Sequence, residues 1–343
     1  MDFKTNFLNS ITKYSIISII GLAKNVSKTT TLNYMIKNLK GHKLGLTSIG
    51  RDGEKYDVIT TLPKPRIFIK EGTYVATARQ SLENSEIKAE IVKKTGIQTP
   101  MGEVLIAKAI IPGLIELAGP SINHQLSIVC KNLKDLGCDI ILVDGAFDRR
   151  AYATPLISEA TILSTGASVS EDLTNVVDLT VHTVELLTLK SETDTLILNL
   201  ARKILEKNKI GIINKDNSIK ELSLLTALDA AKEITGSLDD KSQFIVIKGA
   251  LTGKLLEDLM KLTNKYKNLT FLVEDGTKLF LSKNTFKKFQ KKGGFLKVLN
   301  PIKIIAITIN PTSPEGYKFN KSEFLRLLKQ HIKIPIYDLG PCG

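Results

Sequence analysis

The chain alternates between two kinds of segment when read by the spacing of its apolar and polar positions. Short β-branched apolar runs are separated by stretches in which apolar residues recur every three or four positions. That alternation predicts a parallel sheet covered by helices. Residues 15–21 (SIISIIG) predict a buried strand, and residues 29–39 a helix with Leu32, Met35, Ile36 and Leu39 on one face. A strand is expected at 44–49, with short strands at 66–69 and 74–77, and 104–111 is expected to pair with 114–117 as a hairpin around Pro112-Gly113. Residues 122–136 read as a helix with Leu126, Val129, Cys130 and Leu133 on one face. The run DIILV at 139–143 is the clearest buried strand, and it stops at Asp144-Gly145. A strand at 160–164 and a helix over 171–187, capped by Ser170, close a first series. A second series follows, with strands at 210–213, 244–247, 270–273, 302–309 and 334–337 and helices at 222–234, 251–265 and 321–332.

Length and charge divide this pattern. The 343 residues suggest two domains at about 150 residues each. Residues 1–190 carry a formal excess of three positive charges and residues 191–343 an excess of ten, so the expected boundary lies near the polar stretch 190–194. The basic C-terminal α/β region, 191–343, either builds its own sheet or continues the first one. The net charge of +13 invites a nucleic-acid reading. Only seven of the 48 basic residues are arginine, however, and arginine is the better bidentate reader of phosphates and bases, so nucleic acid is disfavoured as a partner. The six lysines of residues 283–297 read most simply as a solvated face. No apolar run approaches the ~20 residues of a membrane helix, and residues 1–23 have no small-residue cleavage site, so no membrane partner and a cytoplasmic location are expected. Three cysteines without metal-ligand spacing agree with a reducing compartment.

The strongest chemical signal lies where the first strand meets the first helix, in Gly21-Leu-Ala-Lys-Asn-Val-Ser-Lys-Thr-Thr30. A strand entering and a helix leaving is the context a P-loop needs. Successive backbone N–H groups would nest the β-phosphate, and the helix N-terminus would add its positive end. Lys28 would reach the β- and γ-phosphates of ATP, and Thr29 would put its hydroxyl on Mg²⁺. The nucleotide-binding set is then Gly21, Lys24, Asn25, Val26, Ser27, Lys28, Thr29 and Thr30. Glycine stands seven rather than six positions before the lysine, with valine two positions before it, and this form resembles the loop of dethiobiotin synthetase and related P-loop proteins. Ser27 occupies the place of the usual second glycine. If that position needs φ > 0, serine there costs roughly 1–2 kcal/mol. The competing reading is a decayed loop that keeps its shape without turnover.

A P-loop also needs an acid for Mg²⁺ or its water. Asp144 ends the run Ile-Ile-Leu-Val-Asp in the form of a Walker B strand, which makes Lys28 and Asp144 the catalytic candidates; the plainer reading is an aspartate capping the next turn. Asp52 is a third candidate metal ligand, beside Glu54 in a segment that otherwise reads as a polar turn. Asp148, Arg149 and Arg150 could meet the γ-phosphate, a partner or each other. Asn310, before Pro311 at the end of a late buried strand, is a candidate to touch the base. Two look-alikes read as turns instead. Gly249-Ala-Leu-Thr-Gly-Lys254 is one residue short of a P-loop, and Val273-Glu-Asp-Gly276 reads as a capped turn.

Several stretches together point further: GLAKNVSKTTTLNYMI (21–36), LTSIGRDGE (46–54), LPKPRIFIKEGTYVATA (62–78), IELAGPS (115–121), IILVDGAFDRR (140–150), EATILSTGAS (159–168) and ITINPTSPEGYKF (307–319). On these stretches, which span most of the chain, the protein resembles the P-loop reactivase subunits associated with lysine 5,6-aminomutase. The resemblance implies an ATP-dependent factor that opens the mutase and releases inactivated cobalamin, working with a second reactivase subunit. It carries the P-loop and Walker B roles onto Lys28, Thr29 and Asp144. Two other classes stay open at this point: an ATP-dependent small-molecule enzyme of the dethiobiotin synthetase type, and a degenerate P-loop binding module.

Overall fold

The computed structural model describes residues 3–49, 66–145, 157–207, 210–222 and 230–340. They divide into two compact units. One holds the described residues up to Val181 together with those from Lys303 onward, and the other is His182–Ile302.

The chain begins with α1 (Phe3–Ile11), β1 (Ile16–Gly21), α2 (Lys28–Asn38), β2 (Leu44–Ser48), β3 (Ile67–Ile69), β4 (Tyr74–Ala78), α3 (Arg79–Glu83), β5 (Lys88–Thr99), β6 (Gly102–Ile111), β7 (Gly113–Ile115), α4 (Asn123–Asp135), β8 (Ile140–Asp144), β9 (Ala160–Gly166) and α5 (Leu173–Leu187). The second unit continues with α6 (Thr195–Glu206), β10 (Ile210–Asn214), β11 (Ile219–Leu222), α7 (Ala230–Ser237), β12 (Ser242–Val246), β13 (Leu251–Thr252), α8 (Gly253–Leu262), β14 (Thr270–Val273), β15 (Leu279–Phe280), α9 (Lys283–Lys291) and β16 (Phe295–Val298). The chain ends with β17 (Ile304–Asn310), α10 (Lys321–His331) and β18 (Ile336–Tyr337).

The first unit is built on a nine-stranded sheet in the order β18-β17-β9-β1-β8-β2-β4-β6-β5. Every pairing from β18 to β4 is parallel, and β6 and β5 add an antiparallel edge. The expected mixed α/β architecture, a mainly parallel sheet flanked by helices, is present. The two-residue period of β8 explains the layering. Ile140 and Leu142 join the core under α1 and α2, with Phe7, Leu32 and Met35, whereas Ile141 and Val143 join the opposite core with Leu126, Val129 and Leu133 of α4. A strand buried on both faces must be apolar throughout, which is why this run was so legible as sequence.

Several expectations differ from the fold. Leu222 ends β11 instead of opening a helix, and α5 starts at Leu173, where Asp172 rather than Ser170 accepts from Thr174 N at 2.8 Å. The basic region 191–343, left open between a sheet of its own and a continuation of the first, does both: β10, β11, β12, β14 and β16 build a separate sheet, and residues from 303 onward return to the first sheet, where β17 pairs with β9. The charge shift near 190 is a property of the surface, and the core obeys a different rule: β17 is buried on both sides and takes a parallel neighbour. The hairpin 104–111 with 114–117 does not form. β6 pairs with β4 and β5, and β7 pairs with β3 in a separate two-stranded ribbon. β5 was missed because it is an edge strand exposed along most of its length, so no buried face imposes an apolar alternation on it.

In the second unit a five-stranded sheet runs β11-β10-β12-β14-β16, with β12, β14 and β16 parallel and β10 antiparallel to both its neighbours. One face packs on α7, α8 and α9 through Ile234, Leu256, Leu259, Phe286 and Phe289. The other packs on α6 through Ile197, Ala201 and Ile204. Among the described residues no helix is long and apolar enough to cross a membrane.

Candidate functional site

β1 lies between β8 and β9, so the loop after Gly21 leaves the middle of the sheet. The loop folds back tightly on its own first residue. A Cβ on Gly21 would stand 2.7 Å from Val26 Cγ2 and 2.9 Å from Lys28 Nζ, so only glycine fits there. The Lys28 amine turns back into the loop and donates to Ala23 O at 3.0 Å. Asn25 (φ 59°) and Ser27 (φ 67°) both occupy the left-handed region, and Val26 between them does not. Alternating backbone hand of this kind turns successive N–H groups toward one point and makes an anion-binding concavity. Asparagine tolerates that conformation. Serine pays for it, so the condition attached to Ser27 from the sequence is met, and the residue is strained by roughly 1–2 kcal/mol.

Helix α2 starts at Lys28 with no side-chain cap and no acid in its own first turn, so its positive end adjoins the loop. Thr29 and Thr30 are half-buried in that first turn. The loop is pinned from neighbouring elements. The Asn310 amide donates to Asn25 O at 3.0 Å, and the Ser168 hydroxyl reaches the same oxygen at 3.4 Å. The Thr31 hydroxyl lies 3.0 Å from both Ser27 O and Thr308 Oγ1, and Thr308 in turn meets Ser164 at 2.8 Å. These buried hydroxyls join α2, β17 and β9 beneath the loop.

Asp144 ends β8, the direct neighbour of β1, in register with Ile19. Backbone crowding at this edge is relieved by glycines. A Cβ on Gly145 would meet Ile19 O at 2.7 Å, one on Gly166 would meet Asn310 O at 2.4 Å, and one on Gly119 would meet Ser48 O at 1.8 Å. Beside the loop is a cavity of about 480 Å³, lined by Ser27, Thr30, Asn310, Thr312, Lys321 and Asp338 among others. Lys321 and Asp338 form an ion pair at 2.6 Å in its wall.

The fold thus brings Gly21, Val26 and Lys28 into contact and joins Asn25 to Asn310. It sets Asp144 on the adjacent strand end. Asp52 and Glu54, with Asp148, Arg149 and Arg150, lie outside the described residues. Among the described residues no three His, Cys, Asp or Glu side chains converge as a metal cluster. Sequence reasoning missed Ser164 and Thr308, which are polar interruptions of apolar strands, Ser168 in the short helical turn after β9, and the pair Lys321–Asp338, whose partners are brought together only by the fold. The two look-alikes are turns, as expected: Thr252 Oγ1 accepts from Leu255 N at 3.3 Å, and the Asp275 carboxylate accepts from Thr277 N at 2.9 Å.

No protein-family model matches the chain, and no curated protein matches it.

Proposed function

We propose that the chain binds ATP with Mg²⁺ at the Gly21–Thr30 loop, as a P-loop NTPase, and serves as the ATP-dependent reactivating subunit of lysine 5,6-aminomutase. The observation that carries the nucleotide part is the loop itself. Its backbone alternates in hand at Asn25, Val26 and Ser27, its lysine lies over Gly21, and it opens onto an uncapped helix end. These features fit a polyphosphate, since backbone N–H groups and one amine supply donors and no acid in the first helical turn opposes the charge. The neighbouring cavity, with Asn310 between loop and wall, has the size and the polar lining for a base and ribose. Lys28 would hold the β- and γ-phosphates, and Thr29 and Asp144 would hold the metal, which neutralises developing charge on the phosphates when bound.

The mutase as partner rests on the resemblance of seven stretches spread over most of the sequence. In this reading, nucleotide binding and hydrolysis drive the opening of the mutase and the release of inactivated cobalamin, together with a second reactivase subunit. The strain at Ser27 favours a second reading, a module that binds nucleotide with little turnover. The test is hydrolysis of ATP by the purified chain with and without the mutase. Stimulation by the mutase is the expected result. Stimulation by a small carboxylate or amine alone would point to a synthetase-like enzyme, and absence of binding at millimolar ATP would remove the nucleotide assignment.

A further inference from the structure

At the opposite end of α2 the sheet holds a second recess. Its volume is about 560 Å³, within the range of small-molecule sites. It lies where β2 and β4 begin, whereas the Gly21 loop leaves where β1 ends. In a parallel sheet these are opposite edges. Among the described residues four lysines line it, Lys40, Lys43, Lys70 and Lys108, with His42 and a single acid, Glu71, giving a formal excess of three positive charges. They come from three separate segments, the α2–β2 turn, the β3–β4 turn and β6, so no single helix or strand pattern explains their meeting. Lysines near the end of α2 complement its negative terminus. That accounts for Lys40 and for Lys70, which donates to Lys37 O in its last turn, and Lys43 does the same for the end of α4 at Leu136 O; Lys108 is left unexplained.

The charges are poorly neutralised. Lys43 spends its amine on Leu136 O and lies 4.7 Å above the Tyr74 ring, and Lys70 donates to Lys37 O at 2.8 Å. Neither the Lys40 nor the Lys108 amine makes a hydrogen bond or pairs with an acid among the described residues. Burial, followed by repulsion from Lys40 and Lys37, pushes the Lys70 amine below the usual lysine range. Two turns at the rim, at Gly41 and Gly72, take φ of +80°, and a Cβ at either would meet nothing within 4 Å, so the recess is open to solvent there.

We infer that this recess binds a small molecule carrying two or more phosphate groups, at a site separate from the Gly21 loop. A monoanion would offset one charge of the excess, whereas a diphosphate offsets most of it and brings several acceptor oxygens to the Lys40 and Lys108 amines, which hold none among the described residues. The shape is a pocket of single-ligand size, which suits a small polyanion better than a polymer needing a continuous basic track.

The test uses the full chain carrying Lys28→Ala, which removes the proposed nucleotide loop as a competing site, with inorganic pyrophosphate as probe in low-salt titration calorimetry. One-to-one binding is expected, weakening as salt is added. Adding Lys40→Gln and Lys108→Gln should weaken it about tenfold or more. The same two substitutions should leave the melting temperature unchanged or raised, because they relieve repulsion and break no contact. Absence of binding in the Lys28→Ala chain would overturn the inference. So would an affinity that the two substitutions leave unchanged, or one no greater for pyrophosphate than for orthophosphate.

Discussion

Two strand-to-helix turns in this chain look alike on paper, Gly21–Thr30 in the first unit and 249–254 in the second, and the fold treats them in opposite ways. In the second turn the left-handed position falls on Gly249, where it costs nothing. Thr252 caps the helix with its own hydroxyl, and Lys254 is paired one turn on with Asp258 at 2.9 Å. Helices α6, α9 and α10 follow the same rule, capped by Asp194, Ser282 and Asn320. In the first turn the left-handed positions fall on Asn25 and Ser27, no side chain caps α2, and the lysine folds back over the loop. An uncapped start alone does not set α2 apart, since α3 and α4 also begin without a side-chain cap. What sets the first turn apart is that start together with two left-handed residues that are not glycine, and a bound anion supplies a reason for the combination.

The sharpest way to break this comparison is to remove each lysine in turn. Lys28→Ala should reduce ATP binding or hydrolysis by roughly 100-fold, the scale at which one charge-stabilising donor is lost from a preorganised site. Lys254→Ala should leave both within twofold. Equal losses in the two variants, measured by equilibrium binding of a fluorescent ATP analogue, would erase the distinction between the turns.

The strain can be tested next. Ser27→Gly should stabilise the protein by roughly 1–2 kcal/mol in urea denaturation, since glycine takes the left-handed region without penalty. Gly249→Ala should move stability the other way, by about 1 kcal/mol. A Ser27→Gly protein that hydrolyses ATP much faster than the parent would show that the serine side chain also restrains turnover. If Ser27→Gly destabilised the chain, the strain argument would be wrong.

How much of this was legible from sequence depended on how strongly burial constrained each segment. β1 and β8 are buried on both faces, so they are apolar apart from Ser18, whose hydroxyl pairs with Ser158 and Thr161, and the terminal Asp144, and their ends were readable to within a residue or two. The loop between β1 and α2 was readable because glycine and lysine sit at a spacing that polyphosphate chemistry requires. The conformation at Ser27 was not, since sequence could state the cost of a positive φ but not whether the loop adopts one. β5 escaped because an exposed edge carries no apolar rhythm, and Gly119 and Gly166 escaped because close approach of two backbones leaves no trace in local pattern. The return of β17 to the first sheet was hidden by charge. The lysines that moved the apparent boundary to 190 are on the surface, while Ala306 and Ile307, which fix β17 in its sheet, are buried and neutral.

A smaller effect separates the two turns from the stability side. Thr252→Ala removes the hydroxyl that caps α8 and should cost about 1 kcal/mol. It should leave nucleotide binding untouched. A loss of ATP affinity in this variant, with the fold intact by circular dichroism, would mean that the second turn also serves the ligand.

The smallest effect at neutral pH is one that appears only in acid. Glu192 is buried and accepts from Thr193 N at 2.7 Å, Asp194 N at 3.1 Å and Lys297 Nζ at 3.0 Å. Burial alone would raise its carboxyl, but the two backbone donors and the lysine outweigh that and hold it below the usual glutamate range. A group whose pKa is lowered by folding contributes stability that is fully present above its unfolded value, about 4.3, and is lost as pH falls through the lower folded value. The second unit should therefore weaken below about pH 4, and a Glu192→Gln chain should lack that part of the acid limb while staying close to the parent's stability profile in shape above pH 6. The carboxylate is spent wholly on its own backbone and on one lysine, which is the pattern of the capped turns and the reverse of the Gly21 loop. An acid limb unchanged by Glu192→Gln, followed by fluorescence-detected denaturation from pH 7 to pH 3, would show that this internal satisfaction of polar groups does not hold the second unit together.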